Sequence, residues 1–453
     1  MHYTAKSCDF LYGDKITMMM KRERLAIGDS IKLNVDGSII EGEIMPSTEV
    51  NNPEILIIKL KNGYNVGIRY DQQKIEKVVS ESREISFPQL KIEDRKGMKN
   101  ISLIYTGGTI GSKIDYTTGG VYMLTKPEEL LYEIPEISEI ANISIIPLLS
   151  IASEDMSFVE WQKIAKTVYD ELGKGSDGII ITHGTDTMHY TAAALSFMLR
   201  DLNAPVILTG SQRSSDRGSS DAFMNLLCSA HAAAKSDIAE VGICMHNSSS
   251  DDACAYIRGV KARKMHTSRR DAFRPVNGKP IAHIKQNGEI NYISDYKKVA
   301  KGKKGMKLID GFEKNVALIK FYPNSSPDIL KFYIEKGCKG IIIEGTGLGH
   351  VAVSTIHSEM NWLPAIKEAI SKGIIVGMTS QCLYGRVHPD VYRNLRILSS
   401  SGVIYCNDMS PETALIKLGW LLGNYKKDEA KKLLNMNIAG ELSNRSEYDD
   451  FLV

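Results

Sequence analysis

The sequence predicts an α/β protein, a two-part parallel-sheet body preceded by a small all-β barrel domain, and three observations predict it. Beyond residue 100, short β-branched runs such as Ile101-Ser-Leu-Ile-Tyr105 and Gly178-Ile-Ile-Ile-Thr182 alternate with stretches of helical periodicity. That βαβ order gives buried parallel strands covered by helices. Before residue 80 the apolar period is two, with Asp36-Gly37 and Asn62-Gly63 standing between the segments as hairpin turns. After a lysine-rich break the βαβ order restarts on a smaller scale.

From the amino end, residues 1–24 show no clear period and read as an extension. The barrel domain spans 25–80, with strands expected at Ile31–Val35, Ile39–Ile44, Ile55–Leu60 and Tyr64–Ile68. Residues 81–100 mix charges around Pro88 and read as a linker. The large domain, 101–296, has strands ending near Tyr105, Leu149, Thr182, Leu208 and Met245. Its helices include Phe158–Leu172 and Met188–Leu202; in the second, Met188, Ala192, Leu195, Leu199 and Leu202 recur at helical spacing as a core stripe. A linker at 297–314 holds six lysines and two glycines between Lys297 and Lys307. The smaller domain, 315–440, has strands at Val316–Phe321, Gly340–Glu344 and Gly373–Met378, then a helix over Pro411–Gly423. A charged tail, 441–453, closes the chain.

Composition narrows the function. With 56 basic and 54 acidic residues the net charge is +2, so the molecule lacks the strongly basic footprint of a nucleic-acid binder. The barrel strands carry no basic face with interleaved aromatics, and a docking or spacer role suits them better. Seven scattered cysteines without a Cys-x-x-Cys pair argue for a reducing compartment. No apolar run reaches the roughly 18 residues of a membrane span, and no signal peptide is visible, so a soluble, cytoplasmic protein is expected.

Common signatures fail. Gly107 to Lys113 lacks the ending of a phosphate-binding loop, and Gly345-Thr-Gly-Leu-Gly349 is followed by His350, an incomplete dinucleotide fingerprint. His183 and His189 have no metal-ligand spacing, and no metal site is expected. What holds is a set of strand ends. Thr106-Gly-Gly-Thr109-Ile110 and His183-Gly-Thr185-Asp186-Thr187 each follow an apolar run, where an open α/β sheet collects its ligands. Ser153-Glu154-Asp155-Met156 follows another, and Lys264 lies in a polar loop after a strand. Hydroxyls, carboxylates and one amine at neighbouring strand ends, with glycines that let backbone N–H groups approach, suit acyl chemistry.

These residues resemble the bacterial-type asparaginase and glutaminase family over about 100–440, with TGGTI, Ser-x-Asp-Met, HGTDT, Lys264 before Phe273, Thr379-Ser-Gln-Cys382 and Asp408-Met-Ser-Pro411. The resemblance implies an asparaginase-like two-domain body. Within the family, the added barrel makes the chain more similar to the ammonia-releasing subunits of archaeal glutamyl-tRNA(Gln) amidotransferases. It implies Thr109 as the nucleophile that forms an acyl-enzyme, Thr185 with Lys264 as a second hydroxyl and its base, and Asp186 as the holder of the donor's α-ammonium. A carboxylate suits an ammonium, and a lysine desolvated or crowded by charge can lose its proton well below about 10.4. Ser153 matches the hydroxyl that receives the α-carboxylate. Tyr122, after the Gly119-Gly120 hinge, matches a lid tyrosine, with Tyr116 a near neighbour. Glu154 stands where many free asparaginases have Gln, which opens the choice between Gln and Asn as amide donor.

The resemblance further implies no cofactor on this chain, and a homodimer within an α2β2 complex. Its partner, an E subunit, would bind tRNA, activate the glutamyl ester with ATP and magnesium, and receive the ammonia. The alternative is a free-standing L-asparaginase or glutaminase; a third reading is a non-catalytic amide sensor.

Overall fold

The structure, a computed structural model, describes residues 12–35, 37–45, 47, 52–60, 65–71, 73–78, 95–108, 110, 112–114, 121–123, 134–214, 219–300 and 305–451. The described residues divide into two compact units. One takes those of the first 91 residues with those of 111–124 and 213–220; the other takes the rest.

In the first unit, helix α1 (Asp14–Arg22) precedes strands β1 (Ser30–Val35), β2 (Ser38–Ile44), β3 (Ile55–Leu60), β4 (Asn65–Arg69) and β5 (Ile75–Lys77). They form an antiparallel sheet in the order β4-β3-β2-β1-β5. The period of two sends Ile31 and Leu33 of β1 inward beside Ile44, Leu56, Ile58 and Ile68. Val35 pairs with Ser38 across the Asp-Gly positions, as the hairpin signal requires. The Asn62-Gly63 turn lies outside the described residues. The small all-β module is as expected, with β4 and β5 as the two ends of its strand order among the described residues. One expectation changes here. Residues 14–22 are no loose extension: Ile16, Met19 and Met20 of α1 are buried in the same apolar core. Those three recur at helical spacing, a signal shorter than the window that periodicity needs. Strands β7 (Ser112–Ile114) and β8 (Val121–Met123) pair as a hairpin within this unit.

The second unit is built on a mixed sheet. Strands β6 (Asn100–Tyr105), β9 (Asn142–Pro147), β10 (Gly178–Thr182), β12 (Val206–Thr209) and β13 (Val241–His246) run parallel. Strands β14 (Cys254–Arg258), β17 (Ala282–Ile284) and β18 (Ile290–Tyr292) extend it antiparallel, in the order β18-β17-β14-β13-β12-β10-β6-β9. Both faces are covered, which is why the parallel strands read as continuous apolar runs. Ile179, Ile181, Leu208 and Ile243 face helices α3 (Phe158–Lys174) and α4 (Met188–Met198). Ile180, Ile207 and Cys244 face helices α2 (Ile137–Ile140) and α5 (Ala222–Lys235). Helix α3 begins with a capping box, Ser157 with Glu160.

Helix α4 stops at Met198, short of the expected Leu202. Leu199–Arg200 (β11) instead pairs with Lys307–Leu308 (β19), so tertiary pairing overrides the helical stripe and part of the expected linker becomes structure. Strands β15 (Ala262–Lys264) and β16 (Phe273–Pro275) make a hairpin. The smaller domain follows the βαβ reading. Strands β20 (Val316–Lys320), β21 (Gly340–Gly345), β22 (Ile375–Ser380) and β23 (Ile404–Tyr405) are parallel. They carry helices α6 (Asp328–Glu335), α7 (Trp362–Ser371), α8 (Arg393–Ser400), α9 (Pro411–Asn424) and α10 (Lys427–Leu434). Helix α9 packs on α4, with Trp420 stacked on Phe197 at 5.5 Å. Among the described residues no helix is long and apolar enough to cross a membrane.

Candidate active site

The site forms where parallel strands end side by side. Register sets Thr182 of β10 between Tyr105 of β6 and Thr209 of β12, so the loops after all three leave together. The Thr106 hydroxyl donates to the Thr182 carbonyl at 2.6 Å and clips two of them. Gly108, at φ +89°, lies so near the next loop that a Cβ would stand 2.5 Å from the Gly184 nitrogen. A Cβ on Gly184 would in turn stand 2.8 Å from that of Ser153, which places the buried serine directly against the HGTDT loop. The Thr187 hydroxyl donates to the Ser153 carbonyl at 2.6 Å and fixes that contact.

Lys264 completes the group. The sequence suggests a polar loop; the structure makes it the last residue of β15, opposite Phe273 in the hairpin, with its side chain only 10% exposed. Burial of the stem comes from pairing between two short strands that carry no strong periodicity of their own. Its Nζ donates to the Thr185 hydroxyl at 2.8 Å and to the Asp186 carboxylate at 2.7 Å. Thr185 is buried, whereas the Asp186 side chain is 70% exposed at the mouth. An amine in proton-transfer range of a hydroxyl, with an anion facing solvent beside it, can move a proton and hold a cationic group.

Behind the loop, His183 is fully buried, and burial pushes its imidazole down to about 4. The Trp161 indole donates to the Thr191 hydroxyl at 3.0 Å, and that hydroxyl meets His183 Nε2 at 2.8 Å. His183 Nδ1 therefore donates to the Gly184 carbonyl, at 2.6 Å. A neutral ring thus braces the glycine that precedes Thr185. His189 is pushed to about 4 by burial and then by Arg263 and Lys264. Arg263 pairs with Glu412, at the start of α9, at 2.8 Å. The Glu344 carboxyl, on the end of β21, is raised by its own burial. Sequence reading missed Arg263, Glu412 and the bracing role of His183, because each depends on a partner from a distant segment.

Four expected residues are thus brought together: Ser153, Thr185, Asp186 and Lys264. Glu154 is exposed beside them, its carboxylate 3.5 Å from the Ser153 hydroxyl. Thr109, Tyr116 and the Gly119-Gly120 hinge lie outside the described residues. Tyr122 lies on β8, opposite Lys113, and its side chain is outside what is described. Among the described residues no group of three His, Cys, Asp or Glu is set to hold a metal ion. A separate groove of about 1510 Å³ runs past Arg258, Lys261, Tyr292, Tyr296 and Arg445, and none of the site residues borders it. Three of its cations sit in ion pairs, Arg258 with Glu240, Lys261 with Asp408 and Arg445 with Glu447.

Family models match three segments: residues 100–298 match the asparaginase N-terminal domain, residues 315–434 the glutaminase/asparaginase C-terminal domain, and residues 25–78 the GatD N-terminal domain. Relatives match along nearly the whole chain. The D subunit of glutamyl-tRNA(Gln) amidotransferase from Pyrococcus abyssi is 45% identical, over 97% of this chain and 100% of its own length. The protein of the same name from Archaeoglobus fulgidus is 47% identical, over 94% of this chain and 97% of its own. Among solved structures, the thermostable L-asparaginase of Thermococcus kodakarensis matches with a TM-score of 0.67 at 29% identity. L-asparaginase I of Vibrio cholerae matches with 0.66 at 32%. Each covers 76% of this chain and 99% of the other.

Proposed function

Because the chain belongs to the asparaginase and glutaminase family, in the branch that carries the GatD N-terminal domain, we propose that it is the amide-hydrolysing subunit of a glutamyl-tRNA(Gln) amidotransferase. It releases ammonia from glutamine or asparagine for a partner subunit. The observation that carries the chemistry is Lys264 Nζ held between the Thr185 hydroxyl and the Asp186 carboxylate.

In this reading Thr109 gives up its hydroxyl proton as it attacks the donor's side-chain carbonyl, a proton passes to the amide nitrogen, and the C–N bond breaks to leave ammonia and the acyl-enzyme. Water then attacks the ester, returns a proton to Thr109 and releases the acid. Lys264 takes the proton of Thr185 and so serves the proton transfers of both steps. Asp186 receives the donor's α-ammonium and Ser153 its α-carboxylate. Without donor, Asp186 is engaged by Lys264. An incoming ammonium competes with the lysine for that carboxylate. Tyr122 closes over the donor. The chain carries no cofactor; ATP and magnesium belong to the E subunit, which also binds the tRNA. The pair assembles as α2β2 around a homodimer of this chain, in the cytoplasm.

Hydrolysis measured on this chain alone, then with partner, ATP, magnesium and glutamyl-tRNA, tests the reading. Strong stimulation is expected, and fast solo turnover would instead support a free-standing asparaginase. Thr109→Ala is expected to abolish turnover, a larger loss than the roughly 100- to 1,000-fold that follows removal of one oxyanion donor.

A further inference from the structure

A polar chain that none of the roles above uses runs from the buried Asn225 and His246 out to the exposed Asp251 and the partly exposed Arg270. Asn225 of α5 donates from Nδ2 to the Gly210 carbonyl at 2.9 Å and to Asp221 at 3.0 Å. Its Oδ1 must therefore accept, and it faces His246 Nδ1 at 2.6 Å and the His246 backbone N–H at 3.0 Å. His246, at the end of β13, is fully buried. Its other nitrogen, Nε2, faces the Asp251 carboxylate at 3.0 Å. Both ring nitrogens thus face oxygen acceptors, a setting that only a doubly protonated ring satisfies in full.

We propose that His246, held as an imidazolium between Asn225 and Asp251, is a positioning residue for Lys264 and Thr185. The proposal rests on the amide-hydrolysis reading. At one end of the chain, Asn225 holds Gly210, and Asp221 accepts the Gln212 N–H at 3.0 Å. That loop directly follows Thr209, whose carbonyl accepts the His183 N–H at 2.9 Å, two residues before Thr185. At the other end, Asp251 accepts from Arg270 Nη1 at 2.7 Å, while Arg270 Nη2 donates to the Ser249 carbonyl. Arg270 lies in the turn of the hairpin whose first strand ends at Lys264, closed by the Met265 N–H to Ala272 carbonyl bond at 2.7 Å. The imidazolium thus ties the lysine's hairpin to the loop backing its hydroxyl partner.

The surroundings agree with a cation. The charged groups along the chain are Asp221, Asp251 and Arg270, and His246 Nδ1 meets the neutral Asn225. The Asp251 carboxyl is held below its usual range, first by His246 and then by Arg270. The nearby Cys254 thiol, 3.5 Å from Asn225 Oδ1, is pushed well up by burial and by Cys228 and Cys244, so it stays protonated and adds no negative charge. A ring that lost one proton would keep Nε2–H on the Asp251 carboxylate and leave a bare Nδ1 facing Asn225 Oδ1, acceptor against acceptor. The Asn225 hold on the Gly210 loop would then slacken, and Thr185 would drift from Lys264.

Steady-state kinetics of the full chain with its partner decide the matter. His246→Gln and Arg270→Gln are each expected to lower kcat by roughly 10- to 100-fold, the scale of a misplaced catalytic group, with KM changed less than about twofold. The double variant is expected to be no slower than the worse single one, since both cut one chain. Arg270 sits in an outer turn, so its variant reports even where His246→Gln does not fold. An Arg270→Gln enzyme with wild-type kcat, or fully additive losses, overturns the proposal. ¹⁵N spectra of the ring at pH 7 are expected to show both nitrogens protonated, and a neutral tautomer overturns it regardless of activity. Wild-type protein that hydrolyses no amide refutes the proposed function instead; wild-type activity with unaffected variants refutes only the positioning role.

Discussion

Lys264 reaches both Thr185 and Asp186, and that single geometry makes the site directional. Replacing it by Met keeps the stem's packing and removes the amine. We expect kcat to fall by roughly 100- to 10,000-fold, the usual worth of a general base, with little change in KM; a pure rise in KM in steady-state assays would contradict the role. Histidines 183 and 189 set an acid limit. Burial holds each near 4 in the folded chain, against about 6.5 when unfolded. Their stabilising effect is complete above about 6.5 and fades as pH falls toward 4, because only the unfolded state takes up protons in that window. Each adds a slope of about 1.4 kcal/mol per pH unit there. Thermal melts at pH 7 and pH 5 should show lower stability at pH 5, and a flat profile would count against it. At this scale the sequence was readable where chemistry was local. Thr185, Asp186 and Ser153 stood out at strand ends, but the order of contacts came from tertiary pairing: nothing near Arg263 in the chain announces Glu412.

Secondary-structure elements divide the same way. The Ser157-x-x-Glu160 signal was present in the chain, and the structure builds the reciprocal cap at the start of α3, with the Ser157 N–H donating to Glu160 at 3.0 Å. Ser157→Ala should cost about 1 kcal/mol, measurable as a lower denaturation midpoint with activity per folded molecule unchanged. The parallel strands were equally plain, since burial on both faces leaves no alternation to confuse them. The end of α4 was not: Leu199 continues the apolar stripe, yet its backbone pairs with β19, a segment whose lysines suggested solvent. Helix α1 was lost for the opposite reason, being too short for its stripe to register.

Across the whole molecule, two buried ion pairs tie the final segment to the body. Lys417 of α9 meets Glu441 at 2.6 Å with both side chains fully buried, and it also donates to the carbonyls of Leu434 and Met436. Lys261 meets Asp408 at 2.6 Å, and Ser443 bonds to both. A charged tail was the natural sequence reading, because Lys and Glu are almost never fully buried unless paired and the pairing is invisible in one dimension. Lys417→Met leaves Glu441 buried without a counter-charge and should destabilise the protein by about 3–5 kcal/mol. Adding Glu441→Leu should recover much of that loss in the same unfolding assay. A single variant as stable as wild type would mean that water reaches the carboxylate.

The near-contact of Gly108 with Gly184, and of Gly184 with Ser153, leaves no room for a single methyl group at either glycine. Three loops from three strands are therefore shaped to one another as tightly as the teeth of a lock. For anyone wishing to transplant this chemistry onto another parallel sheet, the unit of inheritance is the interlocked set: a graft of the HGTDT segment alone would arrive without the two surfaces that give it its shape.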